Sequence, residues 1–337
     1  MSYKTLANFE KEQTLFTEFI ESGNDPNILL FQGGSGSGKS HLVEHCLRSV
    51  PDIPSLLIKM QSGQDSMPFL FTKMGSQRGW DKLPNFTRIV ANLLEEPNRF
   101  DDPLWQAGMY DHLREIGKIS DIESRLSRYQ LITKAWFADS WQFDAPFLLA
   151  IDTYENVSPL FDHWFSSSFL TTVATNSQQV RVIVSGQTMP EIRTDLSFCS
   201  AHQELKGIHD VHAWQVWAEA VGYQISSPDA LANVVQTLDG NPSQIIEVIK
   251  IKFPKRNVQA PEKGPTFFRR FRKKMMEVFN LHELVVICFD LGIDHENLPD
   301  HTIKERLIIE LIAYCKRSEL FEDLVQICQE ERPQAEW

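Results

Sequence analysis

The chain has 337 residues, 42% of them hydrophobic and 23% charged, the make-up of a globular protein long enough for two domains or for one with an appendage. Its net charge of −12 argues against a general polyanion binder, because nucleic-acid affinity leans on phosphate neutralisation, although a local basic patch stays open. No apolar run approaches the length of a membrane span and the polar start lacks the apolar core of a signal peptide, so the expected location is cytoplasmic.

In chain order, Leu6, Phe9, Phe16, Phe19 and Ile20 mark an amphipathic helix that ends across Ser22–Pro26. Ile28–Phe31 reads as a buried strand, and Leu42, Val43, Cys46 and Leu47 as the apolar side of a helix that begins near Lys39. Pro51 and Pro54 frame a second strand, Ser55–Met60. The stretch 61–100 reads as irregular, with helical pieces near Phe69–Met74 and Phe86–Leu94, and a long helical stretch runs from Leu104 to Trp141 with a break at Gly117. Phe147–Ile151 and Arg181–Ser185 are continuous apolar runs, the profile of strands covered on both faces. Glu204 and Leu205 fit a last short strand, after which Val211–Val221, Pro228–Leu238 and Pro242–Ile251 are helical. Phe253–Pro265, with its prolines and charges, is the linker candidate, and Phe267–Pro333 is helical throughout. The five cysteines are scattered, odd in number and without a C-x-x-C pair, which predicts reduced, buried thiols with no metal or disulfide role.

Between the first strand and its helix, Gly33–Ser40 fits G-x-x-x-x-G-K-[ST] at every fixed position. The chemistry needs those residue types. Glycine lets the backbone turn successive N–H groups toward phosphate oxygens, a lysine reaches the β- and γ-phosphates, and a hydroxyl ligates Mg²⁺. The phosphate-binding set is therefore Gly33, Gly34, Ser35, Gly36, Ser37, Gly38, Lys39 and Ser40, with His41 beside them. Asp152, at the end of the Phe147–Ile151 run, is the natural second metal residue beside Ser40; a strand-ending turn residue is its plain alternative. Glu155 follows closely enough to polarise an attacking water as a general base, or it is a surface carboxylate. Gln187 follows the Arg181–Ser185 strand and can meet the γ-phosphate or the lytic water, or else bond to loop backbone.

Together these residues resemble the STAND branch of the P-loop ATPases, relatives of the AAA+ machines that act as signalling switches. The match covers about residues 5–250: Phe9-Glu10 and Phe16 ahead of the first strand, the loop Gly33–Ser40, the run Leu148–Asp152 with Thr153-Tyr154-Glu155, and Gly240-Asn241-Pro242, which is similar to the G-x-P motif of that class. The resemblance implies that Pro242 lies near an adenine base; a helix stop followed by a helix start explains the same residues. Gln187 stands where STAND proteins often carry arginine and is more like the sensor position of transposition-associated AAA+ ATPases. The usual winged-helix domain and repeat sensor have no room before the linker, which bears on rapid hydrolysis and on the standard route of oligomerisation. Arg78, Arg181 and Arg193 are equally open as the arginine that would reach across a subunit boundary.

The C-terminal segment carries a second resemblance. Phe279–Leu284 leads into Cys288-Phe289-Asp290-Leu291-Gly292-Ile293-Asp294, then Glu296–Pro299, Ile303–Tyr314 and Ser318–Leu324, an order similar to a prokaryotic effector-associated, death-like helical domain. Such a domain implies like-with-like docking to an effector protein, usually in bacterial conflict systems. Leu281, Leu284, Val285 and Cys288 share one helical face, as do Leu307, Leu311 and Tyr314, and Leu320, Leu324 and Ile327; these are core stripes. Docking would then use charged outer faces, with Asp290, Asp294, Glu296, Glu319, Glu322 and Asp323 as acidic candidates and ordinary solvated surface as their plain alternative. The basic run Arg269–Lys274 reads first as an exposed helix face, with an acidic partner face, a phosphate-rich ligand or nucleic acid as its alternatives.

The expected fold is α/β: a P-loop NTPase core with a mainly parallel sheet (1–206), a small helical lid (207–252), a linker (253–265) and an all-α death-like bundle (266–337). The expected function is an ATP- and Mg²⁺-binding switch or adaptor with slow hydrolysis that recruits an effector in a defence system and assembles with its own copies under nucleotide control. The rivals are a nucleic-acid-associated AAA+ ATPase of the transposition type, which the net charge counts against, and a scaffold that holds nucleotide without turning it over.

Overall fold

A computed structural model describes residues 6–21, 26–63, 66–140, 146–176, 179–255, 265–291, 293, 298, 303–318, 320–332 and 335. The chain divides into two compact units: one comprises Leu6–Ala220 and Ile225–Phe253, and the other takes in Val221–Gln224 and Pro254–Trp337.

The first unit is built on a five-stranded sheet of β1 (Ile28–Gly33), β2 (Ser55–Lys59), β3 (Phe147–Asp152), β4 (Val180–Gly186) and β5 (Ser200–Leu205), in the order β2-β3-β4-β1-β5. Every pairing in it is parallel. This is the P-loop NTPase sheet that the sequence implies. β3 is buried along its whole length, which parallel strands covered on both faces require and a continuous apolar run supplies. The order sets β4 between the loop-bearing strand and the Asp152 strand. Gly33, Asp152 and Gly186 therefore finish at the same edge of the sheet, the carboxyl edge where open α/β sheets bind ligands.

Helix α1 (Glu10–Glu21) precedes the sheet; α2 (Lys39–Arg48), α3 (Ser66–Arg78), α4 (Pro84–Leu93), α5 (Pro103–Ala107), α6 (Met109–Gly117), α7 (Ile122–Ser140), α8 (Pro159–Trp164) and α9 (Leu170–Asn176) lie in the connections between strands; and α10 (Val211–Ala220), α11 (Pro228–Thr237) and α12 (Pro242–Lys252) follow β5. The stretch 61–100 is more regular than expected, because α3 and α4 bury Leu70, Phe71, Met74, Phe86 and Val90 against Phe147, Leu149 and Ile151. The expected long helix is three: a break at Gly108 precedes the one at Gly117. α8 and α9, joined through a π-helical turn at Phe165–Phe169, were not foreseen; their signal is Pro159 after a capping Ser158, then Phe161, Trp164, Phe165 and Phe169 at helical spacing. The fully buried Asp139 of α7 accepts from the N–H groups of Asn85 (3.1 Å) and Phe86 (2.8 Å), capping α4 from a distant element.

The second unit holds α13 (Pro265–Val278), α14 (Leu281–Asp290), α15 (Lys304–Arg317) and α16 (Phe321–Glu331). Its core is the one the helical spacing predicts: Leu284, Cys288, Leu307, Leu311 and Leu324 are fully buried, with Leu281, Val285, Tyr314, Leu320 and Ile327 packed around them. Asn280 and Glu283 form a capping box at α14, each backbone N–H meeting the other's side chain at 2.8 and 3.0 Å. Asp323, expected on the acidic outer face, is instead buried at 5% exposure, because α16 turns it inward beside Leu324. Asp294, Glu296 and Glu319, the side chains of Asp290 and Glu322, and most of the expected linker lie outside the described residues. All five cysteines are free and buried, and burial pushes the thiols of Cys46, Cys315 and Cys328 up to about 12. Among the described residues no helix is long and apolar enough to cross a membrane.

Candidate functional site: a phosphate loop beside two carboxylates

The loop after β1 turns through left-handed backbone at Gly36 (φ +76°) and Gly38 (φ +90°), geometry that gathers successive amides into an anion-binding concavity at a helix N-terminus. A side chain at Gly36 would also meet Asn241 Oδ1 at 2.6 Å. The loop is held from outside. Asn241, the N-cap of α12, donates from Nδ2 to Ser35 O at 3.0 Å, and Ser243 N–H donates to Gly36 O at 3.0 Å. A Cβ on Gly38 would come within 3.1 Å of the Phe9 ring and 3.9 Å of the buried Pro242. Pro242 thus begins a helix, as its plain reading has it, with its ring on the side of Gly38 where a Cβ would lie.

Lys39 is 8% exposed, and its Nζ donates to Gly33 O and Gly34 O, both at 2.8 Å. Burial lowers its pKa, while the charges of Glu155 and Asp152 pull the other way; the ammonium therefore sits in the field of both carboxylates. Gly34 and Ser35 are exposed at the tip, Ser40 is half-buried at the start of α2, and His41 is exposed on its first turn.

Asp152 is 1% exposed. Its Oδ1 accepts from Ser185 Oγ at 2.6 Å, and its Oδ2 is buried without a partner among the described residues. An ionised carboxylate with a bare buried oxygen is costly unless a cation completes it. The donor set also suits Mg²⁺, which binds through one or two carboxylates plus phosphate oxygens and its own waters rather than an all-protein cage. Among the described residues no cluster of three His, Cys, Asp or Glu side chains able to hold a metal occurs.

Thr153 has left-handed backbone (φ +56°), unusual for a β-branched residue. Its Oγ1 donates to Met60 O at 2.8 Å and Asn156 Nδ2 donates to the same oxygen at 3.0 Å, so the turn after β3 is pinned to the end of β2. That turn aims Glu155 at β4, where Oε2 accepts from Gln187 N–H at 2.9 Å and Oε1 from Gln187 Nε2 at 3.1 Å. Burial works against the Glu155 carboxylate, but the bonds from Gln187 and the Lys39 charge outweigh it and hold its pKa below the ordinary value. Gln187 therefore engages Glu155 in this arrangement. Of the three arginines, Arg78 stacks on the Phe147 ring at 4.5 Å, Arg181 donates to Phe19 O, and Arg193 is exposed.

A cavity of about 360 Å³ opens beside Phe9, between Asn8–Glu12 and Gln203–His209 at the β5 edge. The sequence reading brought together the loop, Asp152 and Glu155; it missed Ser185 and Asn241, whose contacts span strands and helices far apart in the chain.

Comparison with known proteins adds a family for the second unit. The model of effector-associated domain 7 matches residues 269–333. Among solved structures the chain is similar to Cdc6p from Pyrobaculum aerophilum (12% identity, TM-score 0.41, 98% of this chain and 87% of that one) and to AMPPCP-bound DnaA from Aquifex aeolicus (13%, 0.36, 96% and 93%). A DNA replication initiation factor gives 12%, 0.38, 90% and 77%. These overlaps are loose, so the fold assignment rests on strand order and the loop. No curated protein matches the chain in sequence. The chain thus joins a P-loop NTPase fold to an effector-associated domain.

Proposed function

We propose that the chain is an ATP-operated adaptor: the first unit binds Mg·ATP at Gly33–Ser40 and hydrolyses it slowly, and the second recruits an effector protein bearing a similar helical domain. The observation that carries the reading is the convergence, at one sheet edge, of the loop with a buried Asp152 that keeps one oxygen without a partner. The domain match at 269–333 supports the recruiting half.

Loop amides and Lys39 bind the phosphates, Ser40 and Asp152 hold the metal, and Glu155 takes a proton from water. Mg²⁺, when bound, neutralises charge on the phosphates. Asn241 and Ser243 tie the loop to α12, so the 207–252 helices are the elements that a bound triphosphate would order. Nucleotide-dependent self-assembly would raise the local concentration of bound effectors, and defence is the setting this domain type supports.

The test is capture of partners from the native host by the full chain. Glu155→Gln, holding ATP, should enrich a protein with a similar helical domain, and Lys39→Ala should not. Equal capture by both would remove nucleotide from the account, and DNA-stimulated turnover would favour the nucleic-acid rival instead.

A further inference from the structure

We propose that Ser185 is a positioning residue for the metal: its hydroxyl occupies Asp152 Oδ1 and so fixes the carboxylate with Oδ2 alone facing the cation or its water. The inference rests on the reading of Gly33–Ser40 and Asp152 as a Mg·nucleotide site and adds to it a side chain outside the phosphate loop.

The register brings the pair together. β3 and β4 align Leu149 with Val182, Ala150 with Ile183 and Ile151 with Val184. The next step outward sets Asp152 opposite Ser185 on the same face of the sheet. Both are buried, at 1% and 0% exposure, so bulk water does not substitute for the bond. At 2.6 Å it is a short, charge-assisted contact. A carboxylate bonded through one oxygen resists rotation about its last torsion, which favours one direction for the unpartnered oxygen. The other candidate partner is engaged elsewhere: Lys39 Nζ donates to the carbonyls of Gly33 and Gly34 and lies 3.4 Å from Ser37 Oγ. Loss of the hydroxyl would free Oδ1, let the carboxylate turn and blur the single-oxygen site. Side chains that orient metal ligands in this way are worth about 10–100-fold in metal affinity.

The experiment titrates a fluorescent ATP analogue into full-length wild type, Ser185→Ala and Ser185→Cys over a range of Mg²⁺ concentrations and in EDTA. Cysteine keeps the volume of the buried site and loses the strong donor, which covers the case in which alanine fails to fold. The expected result is a rise of about 10–100-fold in the Mg²⁺ needed for half-maximal binding in either variant, with affinity in EDTA unchanged. Ser185→Thr, which retains a hydroxyl, should restore the wild-type Mg²⁺ dependence. Unaltered Mg²⁺ dependence in Ser185→Cys overturns the inference and leaves the nucleotide site standing, and so does an equal loss of affinity in EDTA, which would mean the hydroxyl acts through the fold. Wild-type binding that ignores Mg²⁺ overturns the metal reading and this inference with it.

Discussion

Gln187 takes both carboxylate oxygens of Glu155, one through its backbone N–H at 2.9 Å and the other through its side-chain amide at 3.1 Å. The side chain proposed as base is therefore oriented by the end of β4, and its proton affinity is set there too. Glu155→Gln should lower turnover by about 10²–10⁴-fold, the usual worth of a general base, while leaving nucleotide binding intact.

Gln187→Ala tests the electrostatic half of that relationship. The Glu155 pKa lies below its ordinary value of 4.5, and removing a donor raises it. The acid limb of the pH–rate profile should move to higher pH in the variant. The stability contribution follows the same sign: with a depressed folded pKa it is present above the unfolded value and is lost as pH falls through the folded one, so Gln187→Ala should flatten the fall of melting temperature below pH 4.5. An unshifted acid limb would mean that Glu155 does not take the proton.

Gly186 makes this geometry possible. A Cβ there would come within 2.8 Å of both Glu155 Oε2 and Thr188 O, and 2.9 Å from Tyr154 Cβ. The carboxylate could swing away, but the carbonyl is backbone and cannot. Gly186→Ala should cost about 1–3 kcal/mol as overpacking, read as a lower melting temperature, together with lost turnover as Glu155 leaves Gln187. Wild-type stability in this variant would contradict the close approach.

Legibility in the sequence followed how local the signal was. The loop, its strand and its helix are contiguous, and the backbone turns left-handed at Gly36 and Gly38, where the glycine spacing predicts it. Asp152 stands out because it closes the continuous apolar run Phe147–Ile151, and it is the last residue of the buried strand β3. Ser185, Gln187 and Asn241 act through partners 33, 32 and 206 positions away; the first two pairings depend on β3 lying beside β4 and the third on α12 packing against the loop, and no local pattern carries either. Asp323 failed differently: a carboxylate on a helix reads as surface unless the packing of α16 is known.

The second unit makes a separable prediction. Arg269, Arg270 and Lys273 are exposed along α13 while Phe271 and Met275 between and beyond them are buried. Reversing the three charges to glutamate should abolish capture of an effector with an acidic docking face, since complementarity across an interface sets specificity and encounter rate. Mg·ATP binding by the first unit should not change. Undiminished capture would move the docking surface off this face of α13.

The most direct measurement is calorimetric titration of the full chain with ATP and Mg²⁺, beside Lys39→Ala. The account predicts saturable binding by the wild type, weakened in EDTA and lost in the variant, because Lys39 is the buried cation at the floor of the loop. Absence of heat with folded wild-type protein, or equal binding by Lys39→Ala, would contradict it.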